Sequence, residues 1–123
     1  MPKFSKSSLD KLNTCHPDLI KLMLAVIEKM DVTILCGHRG EEEQNRCFQN
    51  RTSMLRWPHG KHNKVPSLAV DCAPWPIDWG NVQAFKRMGE VVKETAKEIG
   101  VDIEWGGDWP KFRDLPHIQL KEK

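Results

Sequence analysis

One short segment constrains the fold of this chain more than any other. It is the apolar run LAVDCA at residues 68–73, which has a carboxylate within it. Its length and its apolar side chains indicate a buried strand. An ionised carboxylate is costly in such a strand unless another group compensates its charge. We therefore expect the fold to bring a positively charged group, or a cation, to Asp71.

Length and composition limit the other possibilities. With 123 residues, 39% of them hydrophobic and 29% charged, the chain has the composition of a globular protein, and a single domain over residues 1–123 is expected. The 19 basic and 17 acidic side chains nearly balance, so no strong field for nucleic acid is predicted. No segment has the length of a membrane span or the pattern of a signal peptide, and no membrane insertion is expected.

The four cysteines do not form any CxxC pair. Their spacing therefore does not suggest a zinc ribbon or a redox motif. Reduced and mostly packed thiols are expected for a protein that stays in the cytosol until it is released. These residues are Cys15, Cys36, Cys47 and Cys72.

Apolar spacing and end signals predict four helices. Pro17 suits the first position of one helix, and Gly100 suits the end of the last. The acidic residues at 41–43 favour the first turn of a helix that runs to about Arg51. The other signals are a cap at Ser7 or Ser8 ahead of Asp10, the apolar stripe Leu19, Leu22, Met23, Val26, Ile27 and Met30, and the inner face Val82, Phe85, Met88, Val92 and Ile99.

Strands are predicted where short apolar runs lie between segments rich in Pro, Gly, Asn and Trp. Together with the helices they predict an α+β fold, in which a small antiparallel sheet carries Asp71 and His117 and helices pack on one side. The predicted strands cover 32–36, 68–73, 101–105 and 117–120, and the predicted loops cover 52–67, 74–80 and 105–116.

Three side chains from separate segments have the chemistry of zinc ligands: His62, Asp71 and His117. Two imidazoles and one carboxylate are a common set for a catalytic zinc ion, which keeps its fourth position for water. One anionic ligand leaves the ion positive, so it can polarise a carbonyl and acidify water. Spacing alone leaves another interpretation open, namely a solvated loop histidine, a capping aspartate and an ordinary strand histidine.

Three segments resemble successive motifs of the M15 family of zinc peptidases, in its bacteriophage endolysin and D-alanyl-D-alanine carboxypeptidase-like branch. They read CGHRGEEEQ, GKHNKVPSLAVDCAPWPIDW and EWGGDWPKFRDLPHIQL, and they span about residues 35–120 in the order of the family. The resemblance implies a fold of the hedgehog/DD-peptidase type. It also implies zinc-dependent hydrolysis of a peptide bond in the peptidoglycan stem.

The resemblance also implies roles for individual residues. His62, Asp71 and His117 match the zinc ligands. Asp114 matches the catalytic acid/base, and a carboxylate there can take a proton from the attacking water and give one to the leaving amine. Arg39 matches the arginine that steadies the substrate carbonyl as it becomes an oxyanion, a task that suits a permanently charged guanidinium.

Other positions near these motifs have less definite roles. Gly60 departs from the family pattern, which has the serine of S-x-H there, so a hydrogen bond is either missing or supplied differently. Gln44 is expected to brace the site, and Asp108 to order its loop. His59 is either a donor near the site or an exposed loop histidine. Four tryptophans either line a substrate groove or pack in the core: Trp75, Trp79, Trp105 and Trp109.

The predicted function is that of a phage endolysin that cleaves the stem peptide, with the L-alanyl-D-glutamate bond favoured. Removal of terminal D-alanine would use the same machinery and is an alternative. A noncatalytic zinc-containing cell-wall-binding module is another, although Asp114 and Arg39 argue against it. The sequence HGKHN at residues 59–63 also suggests a His/Asn metal nuclease, which the balanced charge disfavours.

A monomer is expected. It would accumulate in the host cytoplasm and reach the periplasm or cell wall with help from a separate membrane-permeabilising protein.

Overall fold

The computed structural model describes residues 3–50, 57, 60–110 and 113–121. In this part of the chain, four helices and four strands lie close to where the apolar pattern predicts them. The helices are α1 (Lys6–Leu12), α2 (Pro17–Ile27), α3 (Glu41–Gln49) and α4 (Val82–Ile99). The strands are β1 (Val32–Cys36), β2 (Ala69–Pro74), β3 (Ile103–Trp105) and β4 (His117–Leu120), and two 3-10 turns cover Lys61–Asn63 and Gly106–Asp108.

The four strands form one antiparallel sheet in the order β1-β2-β4-β3. Strands β2 and β4 are therefore the central pair. In their ladder, Asp71 lies directly opposite His117. Residues that face each other across an antiparallel pair project from the same side of the sheet. The carboxylate and the imidazole thus share one face.

Alternation along the central strands separates this polar face from the core. Val70, Cys72 and Ile118, which flank the two polar residues in sequence, are fully buried in the hydrophobic cluster. Helix α4 packs against β2 and β3, and α2 packs against α4. Because successive side chains point to opposite faces, α2 and α4 cover the apolar face and leave Asp71 and His117 on the other. The predicted α+β architecture is confirmed.

Several helix ends follow the signals in the sequence. Pro17 opens α2, where His16 caps the helix by accepting a hydrogen bond at Nδ1 from the Asp18 N–H. Gly100 ends α4 with a left-handed φ of 76°, a conformation that glycine adopts at little cost. Both predictions are confirmed.

Two details of the helices were predicted wrongly. Ser5, and not Ser7 or Ser8, caps α1, because its Oγ accepts a hydrogen bond from the Ser8 N–H. Val82 is exposed instead of facing the core, since it lies in the first turn of α4, ahead of the buried Phe85.

Other boundaries shift by one or two residues. Strand β2 begins at Ala69 and extends to Pro74, one residue later at each end than predicted, and β3 begins at Ile103 instead of residue 101. Helix α3 ends at Gln49, and Arg51 lies outside the described residues. Within the described ranges, no helix is both long enough and apolar enough to cross a membrane.

The four cysteines are reduced and form no disulfide, as predicted. Cys15 and Cys72 are buried, and burial raises the pKa of the Cys15 thiol to about 11. These two thiols therefore stay neutral and act as packed core side chains. Cys36 and Cys47 are half-buried.

Candidate active site

The three predicted metal ligands converge on the polar face of the sheet. His62 comes from the 3-10 turn before β2, Asp71 from β2 itself and His117 from the start of β4. His62 Nε2 and His117 Nδ1 each lie 3.2 Å from Asp71 Oδ1. One ligand atom from each residue lies within 4.8 Å of the others. Ligands of a tetrahedral zinc ion are separated by about 3.3 Å, so this arrangement fits a metal ion.

The backbone determines which nitrogen of His62 faces the site. His62 Nδ1 lies 2.7 Å from the Gly37 carbonyl oxygen. A carbonyl only accepts hydrogen bonds, so Nδ1 must donate and Nε2 is left facing Asp71. The Ser67 hydroxyl also donates to Gly37 O, and the Arg39 N–H donates to His62 O at 2.8 Å. The turn that carries His62 is thereby held against the segment that follows β1.

Asp71 has the compensating charges that its strand requires. Its Oδ1 faces the two imidazoles, and its Oδ2 lies 3.5 Å from Arg39 Nη2. Burial raises the pKa of this carboxyl, but the hydrogen bonds with His117 and His62 outweigh burial and hold the pKa well below its usual range. The carboxylate therefore stays ionised.

The same contacts change the imidazole of His62. Burial lowers its pKa, while the hydrogen bond with Asp71, a contact with Cys36 and the attraction of the Asp71 charge together outweigh burial and raise the pKa to about 10. Asp71 thus stabilises positive charge at this position, either as a proton or as a metal ion. Metal binding must then displace the proton from His62.

Buried polar side chains fix the position of Arg39. Its Nη1 donates to Gln44 Oε1 at 3.0 Å, and Gln44 is almost fully buried. Asn63 Nδ2 donates to the same Gln44 oxygen at 3.2 Å and to Arg39 O at 2.9 Å. Gln44 braces the site as predicted. The sequence did not predict these hydrogen bonds of Asn63. Its position next to His62 was the one feature that pointed to a role in the site.

Asn63 also explains why the site can have glycine at position 60, where the family pattern has serine. The Gly60 N–H donates to Asn63 Oδ1 at 2.8 Å, so Asn63 supplies a hydrogen bond at this position. A Cβ atom on residue 60 would come within 2.8 Å of the same Oδ1. The Asn63 carboxamide therefore occupies the space that a serine side chain would need. Because Asn63 is turned toward Gly60 and Gln44, the nuclease interpretation of HGKHN is not supported by its geometry.

Asp114 lies beside the three candidate ligands without joining them. Its Oδ2 is 4.0 Å from His117 Nδ1, and its side chain is 42% exposed. The Asp114 N–H donates to Gly106 O and the His117 N–H donates to Asp114 O, each at 3.1 Å. Burial, followed by repulsion from Asp71, raises the pKa of the Asp114 carboxyl. The carboxyl is thus held near the ligand atoms and remains open to solvent.

The four tryptophans fall into two groups. Trp105 is buried in the core, whereas Trp109 is half-buried with its ring centroid 5.2 Å from that of His117. Trp109 therefore lines the site. Trp75 and Trp79 are 57% and 62% exposed, which places both outside the core.

Two contacts hold the segment between β3 and β4. The Asp108 carboxylate pairs with Lys93 of α4 at 3.0 Å, as expected for a residue that orders its loop. Trp105 Nε1 donates to Leu115 O at 2.7 Å. The bond from the buried Trp105 fixes the approach to His117, and the exposed pair of Asp108 adds little to it. His59 lies outside the described residues, so its role stays a prediction.

The comparisons with known proteins agree on one family. A family model for phage L-alanyl-D-glutamate peptidase matches residues 1–121. The L-alanyl-D-glutamate peptidase of Escherichia phage T5 is 32% identical over 124 residues, which covers 97% of this chain and 89% of that protein. The peptidoglycan L-alanyl-D-glutamate endopeptidase CwlK of Bacillus subtilis is 33% identical over 106 residues, covering 74% of this chain and 61% of CwlK.

A solved structure shows the same fold. The crystal structure of the Serratia marcescens L-Ala D-Glu endopeptidase ChiX matches with a TM-score of 0.83 at 24% identity. The match covers 97% of this chain and 90% of ChiX. The family model matches nearly the whole sequence, and the relative from phage T5 is 32% identical. These two sequence matches show the family independently of the fold. This protein belongs to the phage L-alanyl-D-glutamate peptidase family.

Proposed function

We propose that this protein is a zinc-dependent peptidoglycan peptidase, acting as a phage endolysin on the L-alanyl-D-glutamate bond of the stem peptide. One observation carries the proposal: the His62 and His117 nitrogens lie 3.2 Å from one oxygen of Asp71. The relatives supply the reaction, because the named ones are L-alanyl-D-glutamate peptidases. They favour this bond over the terminal D-alanyl-D-alanine bond.

His62, Asp71 and His117 would hold the zinc ion. When bound, such an ion supplies Lewis-acid chemistry, polarising the scissile carbonyl and acidifying water. Asp114 serves as the general base that takes a proton from the attacking water and as the acid that gives one to the leaving amine. Its position 4.0 Å from His117 Nδ1 supports this role, because the carboxyl is near the ligand atoms and still reaches solvent.

Arg39 stabilises the negative charge that develops on the carbonyl oxygen. Its guanidinium is permanently charged, and its side chain is only 12% exposed. Nη1 and Nη2 contact Gln44 and Asp71, whereas Nε is buried and has no hydrogen-bond partner among the described residues. An unsatisfied buried donor is costly. The charged end of the guanidinium, whose Nη2 lies beside Asp71 Oδ2, would stabilise a substrate oxygen at the stage when charge develops.

We expect Arg39→Ala to lower turnover by about 10²- to 10³-fold, the loss typical of removing an oxyanion donor. Zinc content should stay normal at saturating metal, because no ligand is removed. Steady-state kinetics and elemental analysis of the same preparation measure both quantities. Arg46→Ala, which removes an exposed arginine of α3, is the matched control and should be fully active. Unchanged turnover in Arg39→Ala would restrict Arg39 to its pairing with Asp71.

Mass spectrometry of peptides released from purified peptidoglycan tests the proposed function. We expect new carboxyl termini at L-alanine and new amino termini at D-glutamate. Release of free D-alanine would instead identify the carboxypeptidase, and binding without any release would identify the noncatalytic module. Plasmid DNA incubated with the protein should remain intact.

The same digests test the metal. Protein purified without added metal should contain about one equivalent of zinc, as expected for a site with three protein ligands. Chelation should stop peptide release, and added zinc should restore it. Zinc well below one equivalent, together with release that is indifferent to chelator, would contradict the metal assignment.

We further propose that residues 1–123 form a single catalytic domain that acts as a monomer. It accumulates in the host cytoplasm and reaches the cell wall after a separate membrane-permeabilising protein has acted, as the phage origin of one relative supports. Cells that express the protein alone should lyse only after their membrane is permeabilised from outside. Lysis without permeabilisation would contradict this route, and a dimer in sedimentation velocity would contradict the monomer.

A further inference from the structure

A row of hydrogen bonds leads from His117 away from Asp71 toward the edge strand β3. His117 Nε2 lies 2.8 Å from Gln119 Oε1, and Gln119 Nε2 lies 3.0 Å from Glu104 Oε2. The sheet explains the row, because His117 and Gln119 are alternate residues of β4 and Glu104 lies directly opposite Gln119 on β3. All of these side chains are buried or half-buried.

Glu104 sets the direction of this row. An ionised carboxylate only accepts hydrogen bonds, so Gln119 must turn its NH₂ group toward Glu104 and its Oε1 toward His117. A carboxamide oxygen also only accepts, so the hydrogen must be on His117 Nε2. In a neutral imidazole the lone pair is then on Nδ1. Nδ1 is the atom that lies 3.2 Å from Asp71 Oδ1.

The two histidines of the site are therefore oriented by different means. His62 donates to the backbone carbonyl of Gly37, which no substitution of a side chain removes. His117 donates to a side chain, whose amide could present either its oxygen or its nitrogen. The carboxylate of Glu104 selects the oxygen. The orientation of His117 is thus the one that mutation can test.

We propose that Gln119 and Glu104 are positioning residues that fix the tautomer and the ring orientation of His117, so that Nδ1 faces the metal. The proposal rests on the zinc peptidase function proposed above. In this role both residues act through His117 and not on the substrate. Partners of this kind typically account for a 10- to 100-fold effect on metal affinity.

Zinc dissociation constants measured by competition with a chromophoric chelator test this proposal. Gln119→Leu removes the acceptor with little change in volume, and we expect zinc affinity to fall about 10- to 100-fold. Glu104→Gln keeps an acceptor opposite Gln119 but loses the charge that selects its orientation, so a smaller loss is expected. Gln83→Leu, on the exposed side of α4, is the matched control and should bind zinc like the wild type.

An exchange of the two side chains provides the rescue. In Glu104→Gln combined with Gln119→Glu, a carboxylate accepts from His117 Nε2 and an amide donates to that carboxylate from β3. Zinc affinity should return close to the wild-type value. The cobalt-substituted protein adds a spectroscopic readout, since its visible absorption should change in Gln119→Leu and recover in the exchange variant. A loss of stability alone would not produce that pattern.

The outcomes separate this proposal from the proposed function. Equal zinc affinity in Gln119→Leu and wild type would overturn the positioning role and leave the zinc site standing. Wild-type protein that binds no zinc would overturn both. If Gln119→Leu fails to fold, the exchange variant decides: a folded exchange variant with weak zinc binding would overturn the proposal, and one with near-normal binding would support it.

Discussion

His117→Ala is expected to lose metal and activity together. The substitution removes one of the two nitrogens that face Asp71 Oδ1, and two ligands should not retain zinc against a chelator. Without the several kcal/mol that a Lewis acid contributes, hydrolysis should fall on the order of 10⁴-fold or more. Elemental analysis and peptide release from purified peptidoglycan measure the two losses.

Stability should change as well in this variant. Asp71 loses one of its three charged or hydrogen-bonding partners in the middle of the sheet, which is costly for a carboxylate on a buried strand. Added zinc should raise the melting temperature of the wild type and leave that of His117→Ala unchanged. His16→Asn is the control, since it removes an imidazole at the start of α2 but keeps a favourable helix cap. A zinc-loaded, active His117→Ala would exclude His117 from the ligands.

Asp114→Asn should have the second largest effect, and it should leave the metal in place. Asparagine keeps the shape of the side chain and the backbone hydrogen bonds with Gly106 and His117, so the fold and the zinc site should persist. The attacking water then lacks its proton acceptor. Hydrolysis should fall by at least the roughly 10²-fold typical of a lost general base. Turnover and zinc content measured on one preparation give the result.

Asp108→Asn is the matched control for this loss. It removes a carboxylate from the same segment but affects only the exposed pair with Lys93, which is worth at most about 1 kcal/mol. Its activity should stay near that of the wild type. A zinc-free Asp114→Asn would make Asp114 a ligand, and a zinc-loaded variant with full activity would move the base elsewhere. His117→Ala and Asp114→Asn should thus agree in inactivity and differ in metal content.

The centre of the site was predictable because it depends on local pattern. The charge of the carboxylate in LAVDCA must be compensated wherever that strand lies in the fold. Because side chains alternate along the strand, Asp71 points away from the core side chains Val70 and Cys72. His117 opens a short apolar segment of the same kind. The motifs that resemble the zinc peptidases then connected these residues with His62, which the structure places against Asp71.

The surroundings of the site were not predictable in this way, because they depend on which segments become neighbours. Gln119 meets Glu104 only because β3 pairs with β4 in a particular register, and single-sequence periodicity does not specify strand order. Asn63 reaches Gln44 because the turn before β2 packs against α3. The wrong prediction of the α1 cap has a more local cause, because the serines near this helix start have the same capping chemistry. Only the hydrogen bond from the Ser8 N–H to Ser5 Oγ identifies Ser5 as the cap.

The place of the ligands in the sheet has a consequence for how an ion would leave. Asp71 and His117 lie on the central strands, which have neighbours on both sides, whereas His62 lies on a 3-10 turn outside the sheet. Amide hydrogen exchange generally shows that central strands open only near global unfolding, while turns open at much lower free energy. Release of a bound ion should therefore begin with detachment of His62. The other two ligands would stay in position during that opening, so that closing of the turn recaptures the ion.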